Sequence, residues 1–273
     1  MKIMRLFLIF LFLLSSSSSS AFASYTPAIF AFGDSILDAG NNRFNKNCTA
    51  QADFPPYELS FFHHPTGRFT NGRTVVDFLS QFIGIGFQKP YLEAYSAVVN
   101  GSQKNFPSNG INFASGGSGV LKETNKDLRV ISIQKQLLQF EKLVNQNQID
   151  KNLIQKSLFL FECGSNDIFN YFFPLAKPAL DPDSYVRAML AEAAKFINLG
   201  ARRIAVFSLG PVGCVPARAR LPGAPINRCF GKMNVMVKKY NMGLETLVMD
   251  IPTVYPGVIA AYGAVYKIVQ ECR

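Results

Sequence analysis

The sequence is most informative in the segment Ala28-Ile-Phe-Ala-Phe-Gly-Asp-Ser-Ile-Leu-Asp-Ala-Gly-Asn-Asn42. Its first five residues are apolar and are followed by turn-forming residues, which is typical of a buried strand. In open α/β sheets the reactive groups lie just beyond the carboxyl ends of the strands. Ser35 is therefore a candidate nucleophile, and Gly33 permits a tight turn from the strand into the next helix. Backbone N–H groups at the start of that helix would face an anionic intermediate.

Short β-branched or aromatic runs predict four more strands along the chain. With the first strand, these runs are Ala28–Phe32, Ile111–Phe113, Ser157–Cys163, Ile204–Ser208 and Val258–Tyr262. Apolar residues at helical spacing predict helices between them. The three helical faces are Val130, Ile133, Leu137, Phe140 and Val144; Val186, Met189, Ala193 and Phe196, ended by Gly200; and Val237, Tyr240, Leu244 and Leu247, ended before Pro252. Alternating strands and helices predict an α/β fold with a parallel sheet covered on both faces.

Residues 1–23 have the layout of a secretory signal peptide. Lys2 and Arg5 precede an apolar run at residues 6–14, a serine tract and Ala21-Phe22-Ala23. The apolar run is too short to span a bilayer. We therefore expect an exported protein without a membrane span, in which residues 24–273 form a single domain. Export would make Asn47 and Asn100, each in an Asn-x-Ser/Thr triplet, acceptors for glycans.

Four later segments appear in a recognisable order. They are residues 65–77 (Pro-Thr-Gly-Arg-Phe-Thr-Asn-Gly-Arg-Thr-Val-Val-Asp), 110–119 (Gly-Ile-Asn-Phe-Ala-Ser-Gly-Gly-Ser-Gly), 164–167 (Gly-Ser-Asn-Asp) and 207–216 (Phe-Ser-Leu-Gly-Pro-Val-Gly-Cys-Val-Pro). From about residue 26 onward the chain resembles the plant-type secreted branch of the GDSL family of ester hydrolases. The resemblance implies the SGNH hydrolase fold, a three-layer α/β/α sandwich around a five-stranded parallel sheet in flavodoxin-like order. It also implies action on acyl or acetyl esters of lipids or cell-wall polymers, in the apoplast or cell wall.

The resemblance assigns three residues to acyl transfer. Ser35 matches the nucleophile, which also supplies one oxyanion donor through its own N–H. Gly116 matches the glycine whose backbone N–H is the second donor, and Asn166 matches the asparagine whose side-chain amide is the third. Two alternatives stay open: Gly117 can be the donor in place of Gly116, and Asn166 can be only a helix cap.

The base that this chemistry needs is not found in the expected place. The family takes it from an Asp-x-x-His motif after the fifth strand, whereas the sequence has two histidines, His63 and His64, both far upstream. The simplest interpretation is a C-terminally truncated or alternatively spliced product without the base loop and the last helix. Alternatively, His63 or His64 reaches Ser35, because triads occur with different chain orders. A catalytically inactive product that binds an ester-bearing lipid or wall glycan is the second functional hypothesis.

Other patterns limit cofactors and partners. Asp34 and Asp38 flank Ser35, and we interpret them as residues that cap the turn. Metal-binding and nucleotide-binding motifs do not occur in the sequence, so no metal or cofactor is expected. The net charge is +10, or +8 without residues 1–23, and the charges are scattered. That distribution does not support nucleic-acid binding and favours contact with acidic wall polysaccharide.

The sequence has five cysteines. The resemblance around Gly-Cys-Val-Pro favours a Cys214–Cys229 disulfide. Cys163 lies in an apolar strand and is interpreted as a small buried hydrophobe. The sequence assigns no partner to Cys48 or Cys272 and predicts no oligomeric state.

Overall fold

The fold is a parallel sheet between two layers of helices, seen in a computed structural model that describes residues 26–173, 178–197 and 199–272. The predicted signal peptide, residues 1–23, lies outside these residues. The strands are β1 (Ile29–Gly33), β2 (Lys89–Pro90), β3 (Gly110–Asn112), β4 (Leu158–Glu162), β5 (Arg203–Phe207) and β6 (Ile259–Gly263). Their order is β2-β3-β1-β4-β5-β6, and every pair is parallel.

The predicted fold class is confirmed, but the sheet has six strands rather than five. The five predicted runs form β1, β3, β4, β5 and β6, whose order is flavodoxin-like when β2 is set aside. The sixth strand, Lys89–Pro90, pairs with β3 at the edge of the sheet. Two residues are too few to show an alternating pattern, and proline in a sheet is confined to edges, so this strand has no local signal.

Helices follow most strands. They are α1 (Asn41–Phe44), α2 (Val75–Ile83), α3 (Tyr91–Val99), α4 (Ile133–Asn145), α5 (Lys151–Lys156), α6 (Ser165–Tyr171), α7 (Pro182–Ile197), α8 (Gly231–Val254) and α9 (Val265–Glu271), with 3₁₀ turns at Lys126–Leu128, Val212–Cys214 and Pro216–Arg220. Pro252 was expected to lie beyond α8 but lies inside its last turn. Proline costs a helix one N–H bond, and here α8 ends two residues later.

The sheet buries both of its faces. On one face Phe30, Phe32 and Phe159 pack in a continuous cluster against Phe140 of α4 and Tyr240 of α8. On the other face a smaller cluster joins Ile29, Ala31 and Leu160 to Leu37 and to Val76 of α2. Helices on both faces place the sheet in the middle of three layers.

The 65–77 segment fixes the start of α2. Thr74 and Asp77 form a capping box, in which each side chain accepts a hydrogen bond from the other residue's backbone N–H. The Asp77 carboxylate also receives two bonds from the buried Arg68 guanidinium, at 2.8 and 3.0 Å. Buried charges need such partners, so Arg68 and Asp77 are structural residues.

Candidate active site

Ser35 lies on the turn directly after β1 and is half-buried. The turn is fixed by Asp34, whose Oδ1 accepts the Ile36 N–H at 3.0 Å. Gly33 is needed here for close approach, because a Cβ at that position would lie 2.2 Å from the carbonyl oxygen of Glu162. The tight pairing of β1 with β4 therefore determines where Ser35 is presented.

Gln136, which sequence reasoning missed, clamps the end of β1. It is fully buried in α4, its Oε1 accepts the Gly33 N–H, and its Nε2 donates to the Gly33 carbonyl, both at 2.9 Å. A signal existed, because Gln136 is a polar residue three positions after Ile133 and four before Phe140, on the apolar face of the helix. Buried polar side chains are normally hydrogen-bonded, but nothing in the sequence identifies Gly33 as the partner.

Asn166 is brought to the same place from β4. It is the second residue of α6, and its Nδ2 donates to the Ser118 carbonyl at 2.9 Å and to Asp34 Oδ2 at 3.2 Å. The residue at the N-cap of α6 is Gly164, and α6 has no side-chain cap bond. The interpretation of Asn166 as a cap is therefore wrong, and its amide instead links the loop after β3 to the turn that carries Ser35.

Gly116 is close in the fold, but its N–H is already bonded. It donates to Asp38 Oδ2 at 2.8 Å, and a Cβ at Gly116 would lie 2.2 Å from the Phe69 ring. Gly117 is half-buried with φ of +84°, and its N–H makes no hydrogen bond to the described residues. The choice between Gly116 and Gly117 as the oxyanion donor stays a prediction.

The interpretation of Asp38 as a turn-capping residue is confirmed. Its Oδ1 accepts the N–H groups of Gly40 and Asn41, both at 2.7 Å, in addition to the Gly116 bond on Oδ2. Burial raises the pKa of Asp38 to about 6, although these N–H groups favour its ionised form. Asp38 thus fixes the loop after β3 to the segment that follows Ser35.

Two asparagines from the first segment complete this attachment. Asn41 Nδ2 donates to the carbonyls of Asn112 and Ala114, and Asn42 Nδ2 donates to the Gly116 carbonyl, all at 2.8 Å. Both asparagines are fully buried. Their positions within the quoted segment do not indicate these distant partners, which lie more than 70 residues away.

A cavity of about 700 Å³ opens beside Ser35 and Asn166. The other residues around it are uncharged and mostly apolar: Ile36, Ser165, Phe169, Gly210, Pro211, Val212, Cys214, Val215, Ala217, Val265 and Val269. Ligand cavities of this size and character usually bind apolar groups and orient them with a few polar atoms. The Ser35 hydroxyl and the Asn166 amide are polar groups of that kind.

The Cys214–Cys229 disulfide is confirmed, with a sulfur–sulfur distance of 2.09 Å. It closes the loop that follows the 3₁₀ turn Val212–Cys214, next to Val215 and Ala217 in the cavity wall. Cys163 is buried, as expected, whereas free Cys48 is buried and free Cys272 is exposed. The disulfide restricts the cavity wall covalently.

Neither histidine is part of this cavity. His63 and His64 are both exposed, and neither contributes to the cavity wall. The Ser35 hydroxyl makes no hydrogen bond to a described side chain. Among the described residues, the structure therefore brings Ser35 and Asn166 to one cavity and places both histidines outside its wall.

Membrane-spanning and metal-binding features are missing from the described ranges. No helix in residues 26–173, 178–197 and 199–272 is long and apolar enough to cross a membrane. No group of three or more His, Cys, Asp and Glu side chains in the same ranges is suited to hold a metal ion.

The chain is similar to known proteins over most of its length. Residues 29–262 match the family model described as GDSL-like Lipase/Acylhydrolase. The chain is 63% identical to GDSL esterase/lipase 6 of Arabidopsis thaliana over 272 residues, which cover 98% of this chain and 75% of the relative. It is 36% identical to GDSL esterase/lipase EXL3 and 32% identical to GDSL esterase/lipase 7 of the same plant, in each case over 90% of this chain and 70% of the relative.

The family match includes the turn with Ser35, the loop with Gly116 and helix α6 with Asn166. Together with the parallel sheet, it fits the SGNH hydrolase fold. The chain belongs to the GDSL-like lipase/acylhydrolase family and is a carboxylic ester hydrolase of the plant GDSL esterase/lipase type.

Proposed function

We propose that Ser35 is the nucleophile of a secreted serine ester hydrolase. In the first step its oxygen bonds to the ester carbonyl carbon, the alcohol leaves with a proton, and an acyl-enzyme remains. Water then cleaves the acyl-enzyme and releases the acid. The observation that supports this proposal is that Ser35 and Asn166 both line one uncharged cavity.

The proposed oxyanion donors are the N–H of Ser35, the backbone N–H of Gly116 and the side-chain amide of Asn166. Asn166 Nδ2 makes its longer bond, 3.2 Å, to Asp34. An oxyanion would replace that bond while the 2.9 Å bond to Ser118 keeps the amide in place. The Gly116 N–H would have to leave Asp38 to act, and the unpaired N–H of Gly117 supports the adjacent residue as the alternative.

We propose acyl or acetyl esters of lipids or cell-wall polymers as substrates. The cavity supports an acyl chain longer than acetyl, because its wall offers apolar side chains and no charge. An acetyl group would leave most of about 700 Å³ empty. The aromatic rings of the loop before Pro65 do not contribute to this wall; Phe54 and Tyr57 pack against each other instead.

Secretion is proposed from residues 1–23, and glycosylation from Asn47 and Asn100, which are both exposed. The protein is to be expressed in a plant secretory system. Treatment of the secreted protein with a glycosidase is then expected to reduce its apparent mass.

Adsorption of the basic protein to polygalacturonate is expected to weaken with added salt, because exposed charges are screened. Adsorption that does not respond to salt would contradict an electrostatic partner.

A second candidate function is binding of an ester-bearing lipid or wall glycan without turnover. It is favoured by one observation, that neither histidine of the sequence contributes to the cavity wall. Without a base, a serine hydroxyl is a weak nucleophile near neutral pH. The two functions therefore differ in whether Ser35 is activated.

A fluorophosphonate probe distinguishes the two functions, since it labels activated serines. Ser165 is a matched control, because it contributes to the same cavity wall without an assigned role. We expect the label on the peptide with Ser35, lost in Ser35→Ala and retained in Ser165→Ala. An unlabelled wild-type protein that still binds a fluorescent fatty-acyl ester would favour the binding function.

A further inference from the structure

Glu162 is a buried acid without an ordinary partner. It is the last residue of β4, opposite Gly33 in the register, and only 2% of its surface is exposed. Neither of its carboxylate oxygens meets an N–H or O–H group among the described residues. A buried carboxylate without a hydrogen-bond donor costs considerable free energy if it is ionised. The Glu162 carboxyl group is therefore expected to bind a proton.

The side chain that Glu162 does meet is Asp34. The Asp34 N–H donates to the Glu162 carbonyl at 3.3 Å, so the two residues are in contact, and both side chains are buried. Two neighbouring buried carboxyl groups favour sharing one proton over ionising together, and a shared proton forms a hydrogen bond between them. Asp34 already accepts from the Ile36 N–H and the Asn166 amide. Glu162 has no such donors, so the proton resides on Glu162 and Asp34 is the acceptor.

The surroundings favour this arrangement. The titratable groups that respond to the charges of the pair are Cys163 and Tyr240, and both of them are acids. The Tyr240 hydroxyl donates to the Cys163 carbonyl at 3.0 Å, so it is not a partner for Glu162. Burial and the Asp34 charge raise the pKa of Glu162 well above its usual value, and no described cation is among the causes.

We propose that Glu162 is a positioning residue, which donates a hydrogen bond from its protonated carboxyl group to Asp34 and thereby holds Asn166 and the Ser35 turn in register. The contacts run from Glu162, whose carbonyl accepts the Asp34 N–H, to Asp34, and from the Asp34 carboxylate to the Asn166 amide and the Ile36 N–H. The part of this inference that concerns catalysis rests on the proposed role of Asn166.

Infrared spectroscopy tests the proton directly. At pH 7 the wild-type minus Glu162→Gln difference spectrum of the purified protein is expected to contain the C=O band of a protonated carboxyl group. Exposed Glu245 provides the control, and Glu245→Gln is expected to give no such band. A difference spectrum with only ionised-carboxylate bands would overturn the proposal. This result does not depend on whether the protein hydrolyses esters.

The pH dependence of stability is an independent readout. Because the pKa of Glu162 is raised in the folded state, folding favours proton binding, and wild-type stability falls as pH rises above about 4.5, the usual glutamate range. Glutamine donates an N–H to Asp34 at every pH, so Glu162→Gln is expected to lose less stability between pH 5 and pH 8. Equal losses in the two proteins would contradict the proposal.

Kinetics tests the positioning role. Glu162→Met removes the donor at similar side-chain length and is expected to lower kcat roughly tenfold with little change in KM, since displacement of a site group acts on the transition state. Glu162→Gln is expected to recover most of that loss. If the wild-type protein shows no Ser35-dependent turnover, the proposed function fails, while the infrared and stability results still decide the protonation of Glu162.

Discussion

Asn166 is the residue whose chemical role the structure makes most testable. Its amide is oriented by Asp34 and Ser118 beside Ser35, and it does not cap a helix. Loss of one oxyanion donor typically lowers turnover about 10²–10³-fold, so we expect a loss of that size in Asn166→Ala. Asn170 of the same helix is the control, because it bonds to Asn125 and lies outside the cavity wall. Equal turnover in Asn166→Ala and Asn170→Ala would contradict a role for Asn166 as an oxyanion donor.

Gln136 is expected to affect stability. Gln136→Leu leaves the buried N–H of Gly33 without its partner, which typically costs about 1–3 kcal/mol, whereas the Gly33 carbonyl keeps its bonds from the Ser115 N–H and the Ser118 hydroxyl. Urea unfolding measures this loss. Gln139→Leu is the matched control in the same helix, since the Gln139 Oε1 has no partner among the described residues and the change is expected to be nearly neutral. Similar losses in both variants would contradict the clamp on β1.

At this scale the sequence predicted that Ser35 and Asn166 lie close together, while their chemical roles stay a prediction. Ser35 and Asn166 follow two strands that are neighbours in the sheet, and parallel strands bring such residues to one edge. Gln136 and Glu162 were missed because their roles depend on partners 103 and 128 positions away. The hydrogen bond from the Gly116 N–H to Asp38 was also not predictable, since the sequence identified Asp38 only as a local turn residue.

Among the elements, the segment after β5 determines the size of the cavity. Gly210 contributes to the cavity wall, its φ lies outside the left-handed region, and a Cβ there would be 4.0 Å from its nearest neighbour, on Val265. Gly210→Leu is therefore expected to fold and to fill part of the acyl site. We expect the kcat/KM ratio for p-nitrophenyl octanoate over acetate to fall at least about tenfold, as is usual when apolar pockets change by a few methylenes.

The control for this prediction is Gly231→Leu at the start of α8, an exposed position where an added Cβ would have no neighbour within 4 Å. Its chain-length preference is expected to match the wild type. An unaltered preference in Gly210→Leu as well would mean that the acyl chain does not enter this cavity.

Helices and strands with a regular spacing of apolar residues were predictable from the sequence. The five longer strands and the helices that contain Phe140, Phe196 and Tyr240 appear where apolar spacing placed them. The two-residue strand Lys89–Pro90 and the continuation of α8 through Pro252 were not, because tertiary pairing and packing decide them rather than local preference. The fold was thus easier to predict from the sequence than the cavity, because the cavity wall comes from loops and helices that are far apart in the chain.

For the whole molecule, buried carboxyl groups are expected to set the pH dependence of stability. Burial is the largest cause that raises the pKa values of Asp34, Asp38 and Asp167, each to about 6. The folded state then binds more protons than the unfolded state between about pH 4 and 6. The free energy of unfolding is expected to fall across that range, on the order of several kcal/mol in total, and to fall less steeply above it, where the raised pKa of Glu162 still contributes.

Urea titrations at pH 4, 5, 6 and 7 check this prediction. Asp38→Asn is expected to reduce the slope, because amides do not titrate, whereas the exposed control Asp250→Asn leaves it as in the wild type. A free energy of unfolding that rises from pH 4 to pH 6 would show that these carboxyl groups are stabilised as anions by their N–H donors.

The central claim is that Ser35, which lines the apolar cavity, is the nucleophile. Hydrolysis of p-nitrophenyl octanoate by the purified protein tests it most directly, with Ser35→Ala and Ser165→Ala measured beside the wild type and folding checked by circular dichroism. The claim predicts turnover that is lost in Ser35→Ala and kept in Ser165→Ala. Equal rates in folded wild-type protein and Ser35→Ala would contradict it.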